Sequence, residues 1–281
     1  MGRMISRRQF FKRVSTLSAC AVSGAAAHGN TAPAVLGVLT PDRHMPSLTA
    51  RLKFLLPKSA GWQFKGVPRD QRPFPEQASQ VIRELGLHGV IGMPLEDCPD
   101  LIGCMRADGT CLVTVCSRVW QAAYAWMSKQ DQPFAWGFSR ETSGPSPFHH
   151  HATSLAGWLM LAGPKRDIRQ ADTIGGGAGE GLITGILFTD GGEIRFSTYL
   201  AEKPETLPPL IIAQTGTRGT KRFCSDDHDK KSSPMSEDFS DRPLVNLLHL
   251  LSTDQTAAPG TDCWVPWQRF METADLCGIR L

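Results

Sequence analysis

Cys116 stands between an apolar run and Ser117-Arg118, an order that could activate a thiol. A cysteine at a strand end, just before a helix N-terminus, meets unpaired amides and the positive end of the helix. Both lower its pKa. Arg118 is the cation that could hold an anion beside it, so Cys116 and Arg118 are the candidate catalytic residues. A second set lies in "PFHHHATS". On an extended segment alternate residues point the same way, so His149 and His151 would share a face. Paired imidazoles suit copper or zinc, with a third donor drawn from the cysteines and carboxylates of residues 98–116. The same segment also reads as a polar loop leading into the apolar helix "SLAGWLMLAG".

Four cysteines, Cys98, Cys104, Cys111 and Cys116, follow a C-x5-C-x6-C-x4-C spacing. Zinc sites use closer C-x2–4-C pairs and cluster ferredoxins use tighter runs. The group therefore reads first as disulfides or buried thiols, with a metal site as the alternative. "CSDDHDKK" could hold a cation through Asp226, Asp227, His228 and Asp229, or be a polar linker. "TIGGGAGEGLITG" is rich in glycine but satisfies neither G-x-G-x-x-G nor G-x4-G-K-[ST]. The chain contains no G-x-S-x-G and no H-E-x-x-H, and it offers no Ser-His-Asp set.

These residues need elements to place them. "PFPEQASQVIREL" has apolar residues at helical spacing, proline in its first turn and Gly86 at its end, so it predicts a helix. "LHGVIGM" follows as a short buried strand. Asp108-Gly109 lies between two apolar runs and predicts a two-residue hairpin turn. In that register Arg106 faces Cys111 and Cys104 faces Val113, which puts Cys104 and Cys111 on one face, within reach of a disulfide. Ser117 would cap a helix starting at Arg118. The strand–Cys–helix order resembles rhodanese-like and thiol phosphatase sites, although the anion-cradling loop of those families is longer than "CSRVW". A second hairpin spans residues 182–200 around Asp190-Gly191-Gly192, and "PLIIAQT" is expected as a strand beside it.

The resulting fold class is α+β. Two hairpins and short helices form one main domain over residues 48–216, followed by a polar linker (217–241) and a C-terminal helical segment (242–281).

The start of the chain is of another kind. Arg3, Arg7, Arg8, Lys12 and Arg13 precede an uncharged stretch, "VSTLSACAVSGAAA", that ends in Ala25-Ala26-Ala27. A charged region, a short apolar region and a small-residue site make an export signal, too short to span a bilayer. "SRRQFFK" resembles the twin-arginine signal S-R-R-x-F-x-K over residues 1–27. The resemblance implies the twin-arginine export machinery as a partner, a periplasmic or envelope location, and transport after folding, often with a cofactor already inserted. Leu17-Ser18-Ala19-Cys20 also resembles a lipobox, so lipid on Cys20 competes with cleavage after Ala27. Residues 28–47 then read as a flexible lead-in.

Five of the 30 basic side chains lie before residue 14, so the remainder carries 25 against 27 acidic ones. A nucleic-acid partner needs a dense basic patch, and that near balance argues against one. An oxidising compartment favours disulfides among the seven cysteines beyond Cys20.

Two functions follow. One is an exported metal- or redox-cofactor protein of oxidoreductase type, with copper, zinc or iron as metals that His149 and His151 could take. The other is a non-enzymatic sensory, ligand-binding or assembly module, because the strand–turn–strand–helix order loosely resembles PAS-type modules.

Overall fold

A computed structural model describes residues 34–55, 62–95, 98–128, 135–142, 147–163, 171–173, 181–189, 192–201, 210–216, 219–225, 243–245 and 263–279. The signal-like segment, the Gly-rich loop at 174–180, the second hairpin's turn at 190–191 and Asp226 to Asp229 lie outside them.

The α+β expectation holds. The chain builds two six-stranded mixed sheets with helices packed on them. The first sheet begins with β1 (Val35–Thr40), α1 (Met45–Leu55), β2 (Gln63–Pro68), α2 (Phe74–Leu85) and β3 (Gly89–Gly92). Strands β2 and β3 pair with β1 in parallel, one on each side. β4 (Leu101–Arg106), β5 (Cys111–Val115) and β12 (Val265–Pro266) continue the sheet antiparallel, giving the order β12-β5-β4-β3-β1-β2. Val35–Thr40, expected within a flexible lead-in, is therefore an interior strand. Its residues from Leu36 to Thr40 are buried, as a strand covered on both faces requires. Three parallel strands also set this sheet apart from the PAS-like order.

Helix α2 forms as expected. Phe74, Gln77, Ala78 and Val81 are its buried face, and Gly86 closes it at φ 60°. A Cβ on Gly92 would lie 1.8 Å from the Leu39 carbonyl oxygen, so only glycine lets β3 lie this close to β1.

The β4–β5 hairpin departs from expectation by one residue. The Arg106 amide donates to the Thr110 carbonyl (2.9 Å) and the Gly109 amide to the Arg106 carbonyl (3.0 Å). The loop is thus Ala107-Asp108-Gly109, with Gly109 at φ 87°. This is the three-residue hairpin in which a turn is closed by a left-handed glycine. Cys104 now faces Leu112 and Met105 faces Cys111. A one-residue slip turns side chains to the other face. Cys104 packs in the main core and Cys111 against the smaller cluster under α2, so the expected disulfide between them is corrected.

The second sheet has the order β11-β10-β6-β9-β8-β7. Its members are β6 (Ala135–Thr142), β7 (Ala171–Thr173), β8 (Leu182–Thr189), β9 (Gly192–Ala201), β10 (Leu210–Gly216) and β11 (Gly219–Cys224). The expected hairpin is β8–β9, with Ile194, Phe196 and Thr198 buried and Arg195 exposed. β10 does not lie beside it. β6 intervenes, parallel to β9 and antiparallel to β10. Residues 219–224, expected as the start of the linker, form β11.

Helix α3 (Arg118–Met127) follows Ser117 as expected, though the Ser117 side chain makes no capping bond. Helix α4 (Pro147–Ala162) lies between the sheets. Its Trp158 stacks on Phe196 of β9 (5.8 Å) and meets Trp120 of α3 edge-on (5.3 Å). Seven successive positions from Ser154 to Met160 are buried, which marks a helix enclosed on all sides. Residues 243–245 are helical, at the start of the segment "PLVNLLHLLS" expected as a helix, and the rest of that segment lies outside the described residues. Helix α5 (Trp267–Leu276) lies in the last stretch of the chain, and β12 just before it is hydrogen-bonded into the first sheet.

Candidate ligand-binding site

The chain leaves β1 for β2 on one side, then crosses back to β3 on the other. The point where direction reverses lies at the carboxyl ends of β1 and β3. Two neighbouring connections diverge there and leave a crevice, the usual ligand position in open α/β sheets.

Arg69, one residue beyond β2, spans this crevice. Its amide donates to the Thr40 carbonyl at the end of β1 (3.1 Å), and its Nη1 donates to the Met93 carbonyl after β3 (2.7 Å). The Met93 amide donates to the Leu39 carbonyl (3.0 Å). One residue thus ties three strand ends together. Gln77, buried on α2, fixes the loop that carries Arg69. Its Nε2 donates to the Pro68 carbonyl (2.9 Å), and its Oε1 accepts from the Asp70 amide (3.1 Å). Asp70 accepts from the Arg72 amide (2.8 Å) and from Arg72 Nε (2.6 Å). The Arg72 side-chain hydrogen bond, then its backbone one, hold the Asp70 carboxyl below its ordinary 3.8. Pro41, Arg69, Asp70 and Gln71 line a cleft of about 220 Å³ at this edge.

The cleft's lining carries one cation, Arg69, and one carboxylate, Asp70, which Arg72 holds from behind. The connection after β1 is Pro41-Asp42-Arg43-His44, which contains no glycine. A dinucleotide cradle needs glycines for backbone approach and amides at the helix start. Here Pro41 has no amide hydrogen, and Asp42 puts a carboxylate in the first turn. These residues do not fit a pyrophosphate, whereas the volume and the Arg69 guanidinium suit one small carboxylate.

The residues singled out by sequence lie elsewhere. Cys116 sits at the end of β5, on the same edge of the sheet as Thr40 and Met93. Three strand spacings, about 14 Å, separate β5 from β1. Its amide donates to the Asp100 carbonyl (2.7 Å) and its side chain is buried in the main core, while Arg118 is exposed. A nucleophile must meet its substrate, and this thiol faces the protein interior. Burial also raises the Cys104 and Cys111 thiols, which keeps both protonated.

His149 and His151 fall on α4, not on a strand. Helical positions two apart differ by about 200° around the axis, so the shared face expected of an extended segment does not arise. His151 is buried. Among the described residues no three His, Cys, Asp or Glu side chains gather as a metal group.

Arg69, Asp70 and Gln77 escaped the sequence reading because β2 did. "QFKGVP" is an edge strand with three polar or glycine positions and little burial, so it carries no apolar alternation. Recognising β1 would have pointed to the edge where they lie.

No family model matches the chain, and no curated protein matches it. Among solved structures, a probable oxidoreductase, yhhX, is similar at a TM-score of 0.38 and 9% identity, over 83% of this chain and 99% of that one. The WlbA (WbpB) dehydrogenase from Thermus thermophilus, in complex with NAD and α-ketoglutarate, is similar at a TM-score of 0.30 and 11% identity, over 92% of this chain and 82% of that one. Likenesses of this size settle nothing about chemistry.

Proposed function

We propose that the chain is an exported cell-envelope protein that binds a small carboxylate at the carboxyl ends of β1, β2 and β3. Export is supported by Arg7-Arg8 and the Ala25-Ala26-Ala27 site, and the twin-arginine machinery is the partner it requires. The observation that carries the ligand reading is Arg69. It lines the cleft beyond the ends of β1 and β2 and is fixed there by bonds to Thr40 and Met93. Of the functions open to an exported module, ligand binding is the one this geometry favours. Calorimetric titration of the purified protein with succinate tests it. Binding that weakens about tenfold or more in Arg69→Met is expected, as loss of a charge-assisted contact implies. Equal affinity in the variant contradicts the assignment.

A further inference from the structure

The cleft beyond β1 and β2 brings unlike groups together. Its volume of about 220 Å³ is below the ~300–1,000 Å³ of pockets that hold drug-sized molecules, so its ligand is short. Its lining sets a cation, Arg69, beside a carboxylate, Asp70, that Arg72 keeps ionised at neutral pH. A second anionic group on the ligand would be repelled by that carboxylate.

The acceptor capacity of Asp70 is nearly used up. Oδ1 accepts from the Arg72 amide (2.8 Å). Oδ2 accepts from Arg72 Nε (2.6 Å) and pairs with its Nη2. An ionised carboxylate has about four lone-pair sites, so one remains, on Oδ1. A hydroxyl brings one donor to it, whereas an ammonium brings three. Pro41 supplies no further acceptor. Its carbonyl already accepts from the Thr40 hydroxyl (2.8 Å) and the His44 amide (2.9 Å). It has no amide hydrogen either, so what it offers a ligand is the apolar ring.

We propose that the cleft binds a short 2-hydroxy acid, with its carboxylate on Arg69, its hydroxyl donating to Asp70 Oδ1 and its carbon chain against the Pro41 ring. This rests on the carboxylate reading of the same cleft and adds the group that selects among carboxylates. Arg69 and Asp70 are adjacent and line one small cleft, which suits ligand groups on adjacent carbons.

Calorimetric titration of the purified protein with propionate, each enantiomer of lactate, L-alanine and succinate tests it. Propionate and lactate differ by the hydroxyl alone. One lactate enantiomer should bind about tenfold tighter than propionate, the gain of a hydrogen bond to a charged acceptor. Asp70→Ala should bring lactate and propionate to equal affinity, whereas Arg69→Met should weaken both together. Asp70 is exposed, and far-ultraviolet dichroism checks that the variants fold; the wild-type comparison decides even where one does not. Equal affinity for lactate and propionate in the wild type overturns the hydroxyl assignment and leaves the carboxylate reading standing. Tightest binding of alanine or of succinate overturns it too, as does a lactate preference that survives Asp70→Ala. No binding of any of these acids overturns both readings at once.

Discussion

At the scale of single residues, the site depends on side chains that bond to backbone. Gln77 holds both ends of the Pro68–Asp70 loop from a buried position on α2. Gln77→Leu keeps the volume but removes two part-buried hydrogen bonds, to the Pro68 carbonyl and from the Asp70 amide. A loss of about 1 kcal/mol in urea unfolding is expected, together with weaker carboxylate binding. Asp70 gives a prediction in pH. Its folded-state pKa is lowered by Arg72, so the clamp's contribution is complete above the ordinary 3.8 and is lost as pH falls through the lower folded value. Carbon-detected titration should find the Asp70 carboxyl ionising below 3.8 in the wild type and close to it in Arg72→Ala. An unchanged midpoint in the variant contradicts the clamp. None of this was visible beforehand, because bonds to backbone leave no spacing pattern in a sequence. Cys116 and His149–His151 were visible as residue types, but burial of the thiol and a helical backbone under the histidines are tertiary facts.

At the scale of elements, the sequence was most informative where local chemistry decides the outcome. Gly86 ends α2, Ser117 precedes α3, and the Asp108-Gly109 pair makes a hairpin. It was least informative where one residue more or less changes the face. The Asp108 side chain accepts from the Thr110 amide (2.8 Å), which lengthens the loop to three residues and moves Cys111 away from Cys104. Peptide mapping of the oxidised protein should therefore yield no Cys104–Cys111 linkage, and finding that linkage would refute the register. Strand β6 was missed because Gly137 and Ser139 break its apolar pattern. Gly137 has a structural reason: a Cβ there would lie 2.3 Å from the Trp158 ring and 2.7 Å from the Ile211 carbonyl. Gly137→Ala should cost about 1–3 kcal/mol by overpacking, read as a lower urea midpoint. An unaltered midpoint contradicts the packing of α4 on the second sheet.

At the scale of the whole molecule, two sheets share one core through α4, and each sheet offers a different surface. The first carries the Arg69 cleft at its parallel strand ends, and the second has Trp136 exposed on the face away from α4. The α+β class was legible because its hairpins and helices are local. The parallel β2-β1-β3 arrangement was not, since pairing between strands separated by a helix is set by packing. Export belongs to this scale as well. Replacing Arg7 and Arg8 by lysine should leave full-length precursor in the cytoplasm, and normal maturation would contradict the twin-arginine reading. Metal analysis and an absorption spectrum of protein purified from the envelope test the cofactor alternative that the export route suggests. The central claim is the carboxylate site, and amide shift mapping during succinate titration tests it most directly. The account predicts saturable shifts centred on Thr40, Arg69, Asp70 and Met93. Saturable shifts centred anywhere else, or none at millimolar succinate, would contradict it.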